Sequence, residues 1–346
     1  MNPMRRLILA ASQNQWMRQH APRFGFMRRA SARFLPGEDV QDAVTAARSL
    51  GANGIQSVLS RLGENIADRD EAAAVTHHFL ELNDRIRATG IPAEITVKLT
   101  QLGLDLDPNL CYENLATLIQ NTPTGKILWI DMEQSPYVDV SLELYRRARK
   151  AYSNVGICLQ AYLYRTEKDL DTLIPEGAAI RLVKGAYNEP AEIAYPRKKD
   201  VDDNFLHLTQ RLLSPEARRA RVRVAIATHD RALIAKIIAW TTDQGVPKNL
   251  LEFQMLYGIQ RAEQLRLVQA GYRCAVLISY GTYWFPWFMR RLAERPANVL
   301  FLARNLFWNS CLEIPSGFVR LFRLSHRAAG SRDARAPRYL IRGLRG

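Results

Sequence analysis

Eight short β-rich runs recur along this chain, and they constrain its fold more than any other feature. They lie at 54–59 (GIQSVL), 94–99 (EITVKL), 127–132 (ILWIDM), 155–161 (VGICLQA), 179–184 (AIRLVK), 222–227 (VRVAIA), 250–255 (LLEFQM) and 272–278 (YRCAVLI). Their length and β-branched content are those of strands. Longer segments with helical spacing separate them, including 71–88, 138–152 and 201–213, the last with Asp200 as its N-cap. Eight strands alternating with helices predict an α/β fold, a (β/α)8 TIM-type barrel of roughly 250 residues. An open doubly wound sheet is the alternative. Neither G-x-G-x-x-G after a strand nor G-x-x-x-x-G-K-[ST] occurs, so both common nucleotide fingerprints are absent.

A barrel of this kind concentrates its chemistry at the C-terminal ends of its strands. Leu62-Gly63-Glu64 follows the first run. Lys98 and Gln101 close the second, Asp131-Met132-Glu133 the third and Gln160 the fourth. The fifth carries Arg181 and Lys184, then Gly185-Ala186-Tyr187. The sixth leads to Thr228-His229-Asp230, and the seventh carries Glu252 and Gln254. Charged and amide side chains inside apolar strands are costly unless paired or liganded, so this recurrence points to a functional rim. In the last helical segment Trp287, Arg290, Arg291 and Glu294 share a face. Two adjacent Arg beside an aromatic can grip a carboxylate through planar, bidentate hydrogen bonds. A cationic pocket for a small carboxylate is the expectation.

The net charge of +14 at first suggests a nucleic acid or an anionic surface as partner. Its distribution narrows that choice. Residues 1–35 hold seven Arg and no Lys, Asp or Glu, and residues 318–346 hold eight Arg and one acid, Asp333. Residues 36–317 therefore sum to zero, and a neutral body argues against a nucleic-acid-binding face. The basic ends are either solvated or a peripheral contact with an anionic lipid surface, and the N-terminal one also has the look of a transit peptide. The four cysteines show no paired spacing, so no metal site or disulfide framework is expected. The expected location is cytoplasmic, with the basic ends peripheral to the inner face of a membrane.

At these residues the chain resembles the proline dehydrogenase family, in its single-function bacterial form. The matching stretches are VKLTQLGLDLD (97–107), IDMEQS (130–135), LQAYLYRTEKDL (159–170), RLVKGAYNEPAEIAYP (181–196), ATHD (227–230), EFQMLYGI (252–259) and RRLAERPANV (290–299). The resemblance implies a distorted (β/α)8 barrel that binds FAD and oxidises L-proline to Δ1-pyrroline-5-carboxylate, with a quinone as electron acceptor. It covers about residues 36–310, the expected flavin-binding catalytic barrel, and the charge distribution adds an Arg-rich N-terminal helical segment over 1–35 and a basic C-terminal tail over 311–346. The resemblance places Asp131 and Arg181 at the catalytic centre, Arg181 beside flavin N5. Lys98, Arg290 and Arg291 would hold the substrate carboxylate, with Glu64 closing on Arg290 as a lid. Met132, Gln160, Lys184, Gly185, Ala186 and Tyr187 would line the flavin. Thr228 and His229 would lie along its adenosine, Gln254 and Leu256 near the ring, and Glu294 near Arg291.

The substrate wall departs from the family pattern. Where the family reads Tyr-x-Pro-Tyr-Gly, this chain has Leu277-Ile278-Ser279-Tyr280-Gly281, and Trp287 stands where the family presents Tyr. Leu277 enlarges the pocket and Trp287 refills part of it, so another cyclic amino acid such as 4-hydroxyproline is an alternative substrate. Two readings from other classes remain at this point. One is a lyase in which Lys184 forms a Schiff base; the other is a non-catalytic binding protein acting through its basic ends.

Overall fold

A computed structural model describes residues 14–20, 24–63 and 66–294. The chain divides into two units, Met1–Glu294 and Arg295–Gly346, and all the described residues belong to the first. Glu64, the side chains of Arg290 and Glu294, and the expected tail over 311–346 lie outside the described residues.

All eight β-rich runs are strands, with ends displaced by at most two residues. They are β1 (Gln56–Arg61), β2 (Ala93–Val97), β3 (Leu128–Ile130), β4 (Val155–Gln160), β5 (Ala179–Val183), β6 (Arg223–Ala227), β7 (Leu251–Leu256) and β8 (Arg273–Tyr280). Each pairs in parallel with the next, and β8 closes onto β1. Three helices precede β1: α1 (Gln15–His20), α2 (Gly25–Ser31) and α3 (Val40–Gly51). The others follow the strands in order: α4 (Arg69–Thr89), α5 (Pro108–Gln120), α6 (Val138–Ala151), α7 (Thr166–Leu173), α8 (Lys198–Leu212) with the short α9 (Pro215–Arg219), α10 (Arg231–Asp243), α11 (Arg261–Gln269) and α12 (Trp284–Glu294). No described helix is long and apolar enough to cross a membrane.

Local chemistry sets the helix ends. Asp68 caps α4 by accepting from the Glu71 backbone N–H at 2.8 Å, and Gly90, at φ 63°, terminates it in the left-handed conformation. Asp200 is not the N-cap of α8, because the helix already begins at Lys198 and Arg197 occupies the cap position. The Asp200 carboxylate instead accepts from the Arg197 guanidinium at 2.6 and 3.0 Å. The start of α12 is packed: Trp284, Phe285 and Phe288 are buried. The Trp284 indole N–H donates to Glu38 at 3.0 Å, and Phe288 meets Phe34 at 6.2 Å between ring centroids.

Register shows which side chains fill the barrel. Thr96 pairs with Trp129, Trp129 with Gly156, Gly156 with Ala179, and Ala179 with Arg223. A second row runs Cys158, Arg181, Ala225, Glu252, Arg273. Paired residues face the same side, so these rows and their i±2 neighbours point inward. The interior is polar at its N-terminal end. Arg223 grips Glu94 through two nitrogens, at 2.6 and 3.0 Å, and reaches Glu252 at 3.1 Å. Arg273 lies 2.8 Å from the same Glu252 carboxylate, which also accepts from Gln254 at 2.6 Å. Glu252, expected on the functional rim, thus belongs to an ion network that plugs the floor. Two carboxylates and two guanidiniums balance there, as burial of charge requires.

Arg223→Leu strands Glu94 and leaves Glu252 with one cation, so it lowers unfolding stability by about 3–5 kcal/mol. Denaturant unfolding of the two proteins measures this, and an unchanged midpoint would rule out the floor network as a structural element.

Candidate active site

At the opposite, C-terminal end of the barrel the inward positions carry a second polar constellation, centred on Arg181. Cys158 and Ala225 flank Arg181 in register, and their small size leaves room for a long side chain to lie across the interior. Arg181 is only 2% exposed. Its Nη1 donates to Asp131 Oδ1 at 2.7 Å and to Thr96 Oγ1 at 3.2 Å. Thr96 donates to the same carboxylate oxygen at 2.8 Å. The Asp131 backbone N–H extends the β2–β3 ladder by donating to Val97 O at 2.9 Å, so the carboxylate stands on fixed backbone. Burial pushes the Cys158 thiol up to about 12, which keeps it a neutral neighbour of this ion pair.

The turn that carries Lys98 is braced from two sides. Glu133 accepts from the Thr100 backbone N–H at 3.2 Å and from its hydroxyl at 2.8 Å. The Gln101 side-chain amide donates to the carbonyls of Arg61 and Gly63, at 3.0 and 2.7 Å, and its oxygen accepts from the Lys98 backbone N–H at 3.3 Å. The strand-two lysine and the chain leading to Glu64 are thereby tied together. Gln160 donates to Glu133 O at 3.0 Å from the end of β4. Met132, next to Asp131, is buried in the apolar layer.

The loop after β5 makes the far side of the rim. Gly185 has φ 112°, and a Cβ there would lie about 2.4 Å from the Tyr162 ring, so only glycine fits. Glu189 accepts from the Ser135 backbone N–H and hydroxyl at 2.8 and 2.6 Å, which ties this loop to the one after β3. Ala186 is exposed and Tyr187 half-buried. Lys184 is engaged by Asp202 and by Asp230, the latter at 3.0 Å, and Lys198 contacts the same two carboxylates. Burial alone would raise the Asp230 carboxyl; hydrogen bonds from Lys198 and Lys184 reverse this and hold it well below the usual range. Thr228 accepts from the Asp230 backbone N–H at 3.2 Å. The Leu256 backbone N–H donates to His229 Nε2 at 2.8 Å, which pins the imidazole edge and selects the tautomer protonated at Nδ1.

Leu277 faces inward, opposite Leu256 and Val58 in register, and is half-buried. Tyr280, three residues on, is buried and bonds His78 Nε2 on α4 through its hydroxyl at 2.8 Å. Arg291 lies over the Trp287 ring, 5.7 Å from its centroid. The structure therefore gathers Lys98, Asp131, Gln160, Arg181, Lys184–Tyr187, Thr228, His229, Gln254, Leu256 and Leu277 at one end of one barrel.

Several buried polar atoms at this end have no hydrogen-bond partner among the described residues: Arg181 Nε and Nη2, Gln160 Oε1 and Gln254 Oε1. Each is the kind of atom that costs free energy if left unmade. Two donors and two acceptors on β4, β5 and β7 suit a planar heterocycle with both hydrogen-bonding polarities on its edge. The glycine-cradled loop after β5 supplies a close backbone approach for such a group.

Residues 43–304 match the proline dehydrogenase family. The chain belongs to that family. A proline dehydrogenase 2 from Bacillus subtilis subsp. natto is 35% identical over 304 residues, covering 87% of this chain and 98% of that protein. A proline dehydrogenase from Deinococcus radiodurans is 36% identical over 283 residues, covering 79% and 89%. Among solved structures, proline utilization A from Bdellovibrio bacteriovorus superposes with a TM-score of 0.72 at 23% identity. It shares the fold over 84% of this chain, and the chain spans 36% of its length.

The sequence reading missed Thr96 and Trp129, which touch Arg181 directly. The signal was there: both are inward by their alternation with Lys98 and Asp131. The His78–Tyr280 contact behind β8 was also missed, since it joins residues 202 apart.

His78 generates a prediction about pH. Burial, then Arg61, lowers its imidazole from 6.5 to about 4, so the folded chain keeps it neutral where the unfolded chain takes up a proton. The resulting stability is complete above about 6.5 and is lost as pH falls towards about 4. Unfolding curves recorded across this window show the loss in the parent chain and a shallower one in His78→Gln. Identical pH profiles would contradict this assignment.

Proposed function

We propose that this protein is an FAD-dependent proline dehydrogenase that oxidises L-proline to Δ1-pyrroline-5-carboxylate. The observation that carries the reading is the buried Arg181 paired with half-buried Asp131, with donors and acceptors around it that lack partners among the described residues, at the C-terminal end of a barrel of this family. Arg181, Gln160, Gln254 and the Lys184–Tyr187 loop would hold the flavin, with Met132 and Leu256 beside it and Thr228 and His229 along its adenosine. A bound FAD would supply the two-electron acceptor for hydride from substrate C5, with a quinone as the onward electron acceptor.

The protein residues supply orientation and charge. Lys98, with Arg290 and Arg291 of α12, receives the substrate carboxylate, and the brace from Glu133 and Gln101 keeps Lys98 in place. Fixing the carboxylate fixes C5, which makes the transfer effectively unimolecular. The amine must shed its proton before its lone pair can expel hydride, and a cationic pocket favours the neutral amine. Arg181 provides positive charge where negative charge develops, anchored at Nη1 by Asp131 and Thr96. Glu64 and Glu294 would complete the closed site around Arg290 and Arg291.

A substituted ring such as 4-hydroxyproline is the second reading of substrate. It is favoured by Leu277, which faces the interior at the end of β8 without a hydroxyl or an aromatic ring. The Schiff-base alternative finds its lysine engaged, since two carboxylates occupy Lys184 Nζ. For the electron acceptor, the Arg-rich ends and the 62% exposed Trp16 support peripheral contact with an anionic bilayer. Absence of full-length protein from sedimented anionic vesicles would remove that part of the proposal.

Purified protein is expected to be yellow and to bleach when proline is added without oxygen. Parallel titrations with hydroxyproline, pipecolate and N-methylproline identify the preferred ring, and a protein that cannot be loaded with flavin sinks the assignment. Arg181→Met should lower kcat/KM on the order of 10²–10³-fold while the protein stays folded. Retained activity in that variant would overturn the role given to Arg181.

A further inference from the structure

Among the described residues Arg181 is anchored through one nitrogen, Nη1, and a single-ended contact does not fix the plane of a guanidinium. The second constraint lies beneath it. The Trp129 ring is fully buried, with its centroid 4.7 Å from the Arg181 guanidinium carbon. An indole face is electronegative and attracts cations most strongly among the aromatic side chains. The indole N–H donates to Glu94 Oε2 at 2.7 Å, a charge-assisted bond that enriches the ring in electron density. Glu94 is itself held by Arg223, whose guanidinium carbon lies 5.3 Å from the same ring. The two guanidiniums share one ring because each has its own carboxylate, Asp131 for Arg181 and Glu94 with Glu252 for Arg223.

The surroundings are shaped to admit this ring. A Cβ on Gly156 would come within about 2.7 Å of Trp129 Cε3 and Cζ3, so that position must be glycine. Ala179, Ala225, Ala275 and Val58 complete the layer around it. One large side chain thus fills a cross-section from which its neighbours have withdrawn. A leucine or isoleucine could fill such space equally well, but neither offers a face to a cation.

We propose that Trp129 is a positioning residue for Arg181. The Glu252–Arg223–Glu94 network on the barrel floor fixes the indole, and the indole fixes the plane of the guanidinium whose Nε and Nη2 are available to a bound flavin. The inference rests on the flavin reading above. It makes the barrel floor part of the functional machinery as well as a structural plug.

The test uses flavin-loaded protein and reads the reduction potential of the bound flavin together with kcat and KM. Positive charge held beside the flavin stabilises its reduced form, so Trp129→Leu lowers the potential and reduces kcat about tenfold, with KM for proline little changed. Trp129→Phe, which keeps a weaker π face and loses the Glu94 bond, falls between Leu and the parent. In an Arg181→Met background, Trp129→Leu adds no further shift in potential, because the residue through which it acts is gone. If Trp129→Leu fails to fold, the Phe variant carries the comparison in both backgrounds. Potentials equal to the parent's in both variants overturn the inference, and so does a full shift persisting in the Arg181→Met background. Wild-type protein that binds no flavin instead refutes the underlying reading of function; a shift in Arg181→Met without one in the Trp129 variants refutes the positioning role alone.

Discussion

A guanidinium buried inside a closed barrel is the constraint on which the rest of this structure depends. Removing Arg181 from water is tolerable only with a carboxylate and further polar or π contacts, and each imposes a demand on a different strand. Asp131 must stand at the end of β3, Thr96 must face inward on β2, and Trp129 must lie beneath. Those demands reach further, because a buried indole N–H needs an acceptor and a buried acceptor needs a cation. Glu94, Arg223, Glu252 and Arg273 complete a balanced set. The floor network reaches Arg181 through the Trp129 ring, and among the described residues several polar atoms at the upper end lack hydrogen-bond partners. Those atoms are where the proposed flavin would find its hydrogen-bond partners.

The loops of the rim share a complementary logic. Lys98 sits on a turn braced by Gln101 and Glu133, and the loop after β5 is tied through Glu189 to the loop after β3. Lys184 belongs to a compact cluster with Lys198, Asp202 and Asp230 that joins the starts of α8 and α10. These contacts connect neighbouring strand ends to one another and to the starts of α8 and α10. That arrangement suits a reaction in which the protein's task is to orient a carboxylate and present fixed charge.

Much of this was legible in the amino-acid sequence because strands in a parallel barrel are short, apolar and regularly spaced. Arg181, Lys98 and Asp131 stood out because charge inside such runs is costly. Glu252 misled for an instructive reason. It shares a register row with Arg181, but barrel strands are staggered, so equal register does not mean equal height. Position along a run therefore did not reveal that Glu252 lies at the floor. Asp200 misled because a first-turn acid and an N-cap acid look alike until the helix start is known. Trp129 escaped notice because an aromatic in a buried strand normally reads as core. Its role depends on which cations come to it from β5 and β6, and no local pattern encodes that.

The most direct test of the central claim is a crystal structure of the flavin-loaded protein. The account predicts the isoalloxazine ring at the C-terminal end of the barrel, with Arg181 Nε or Nη2, Gln160 Oε1 and Gln254 Oε1 all gaining partners from the ring or its ordered water. A flavin bound elsewhere, with those four atoms still unpartnered and the Arg181–Asp131 pair facing only protein, would contradict it.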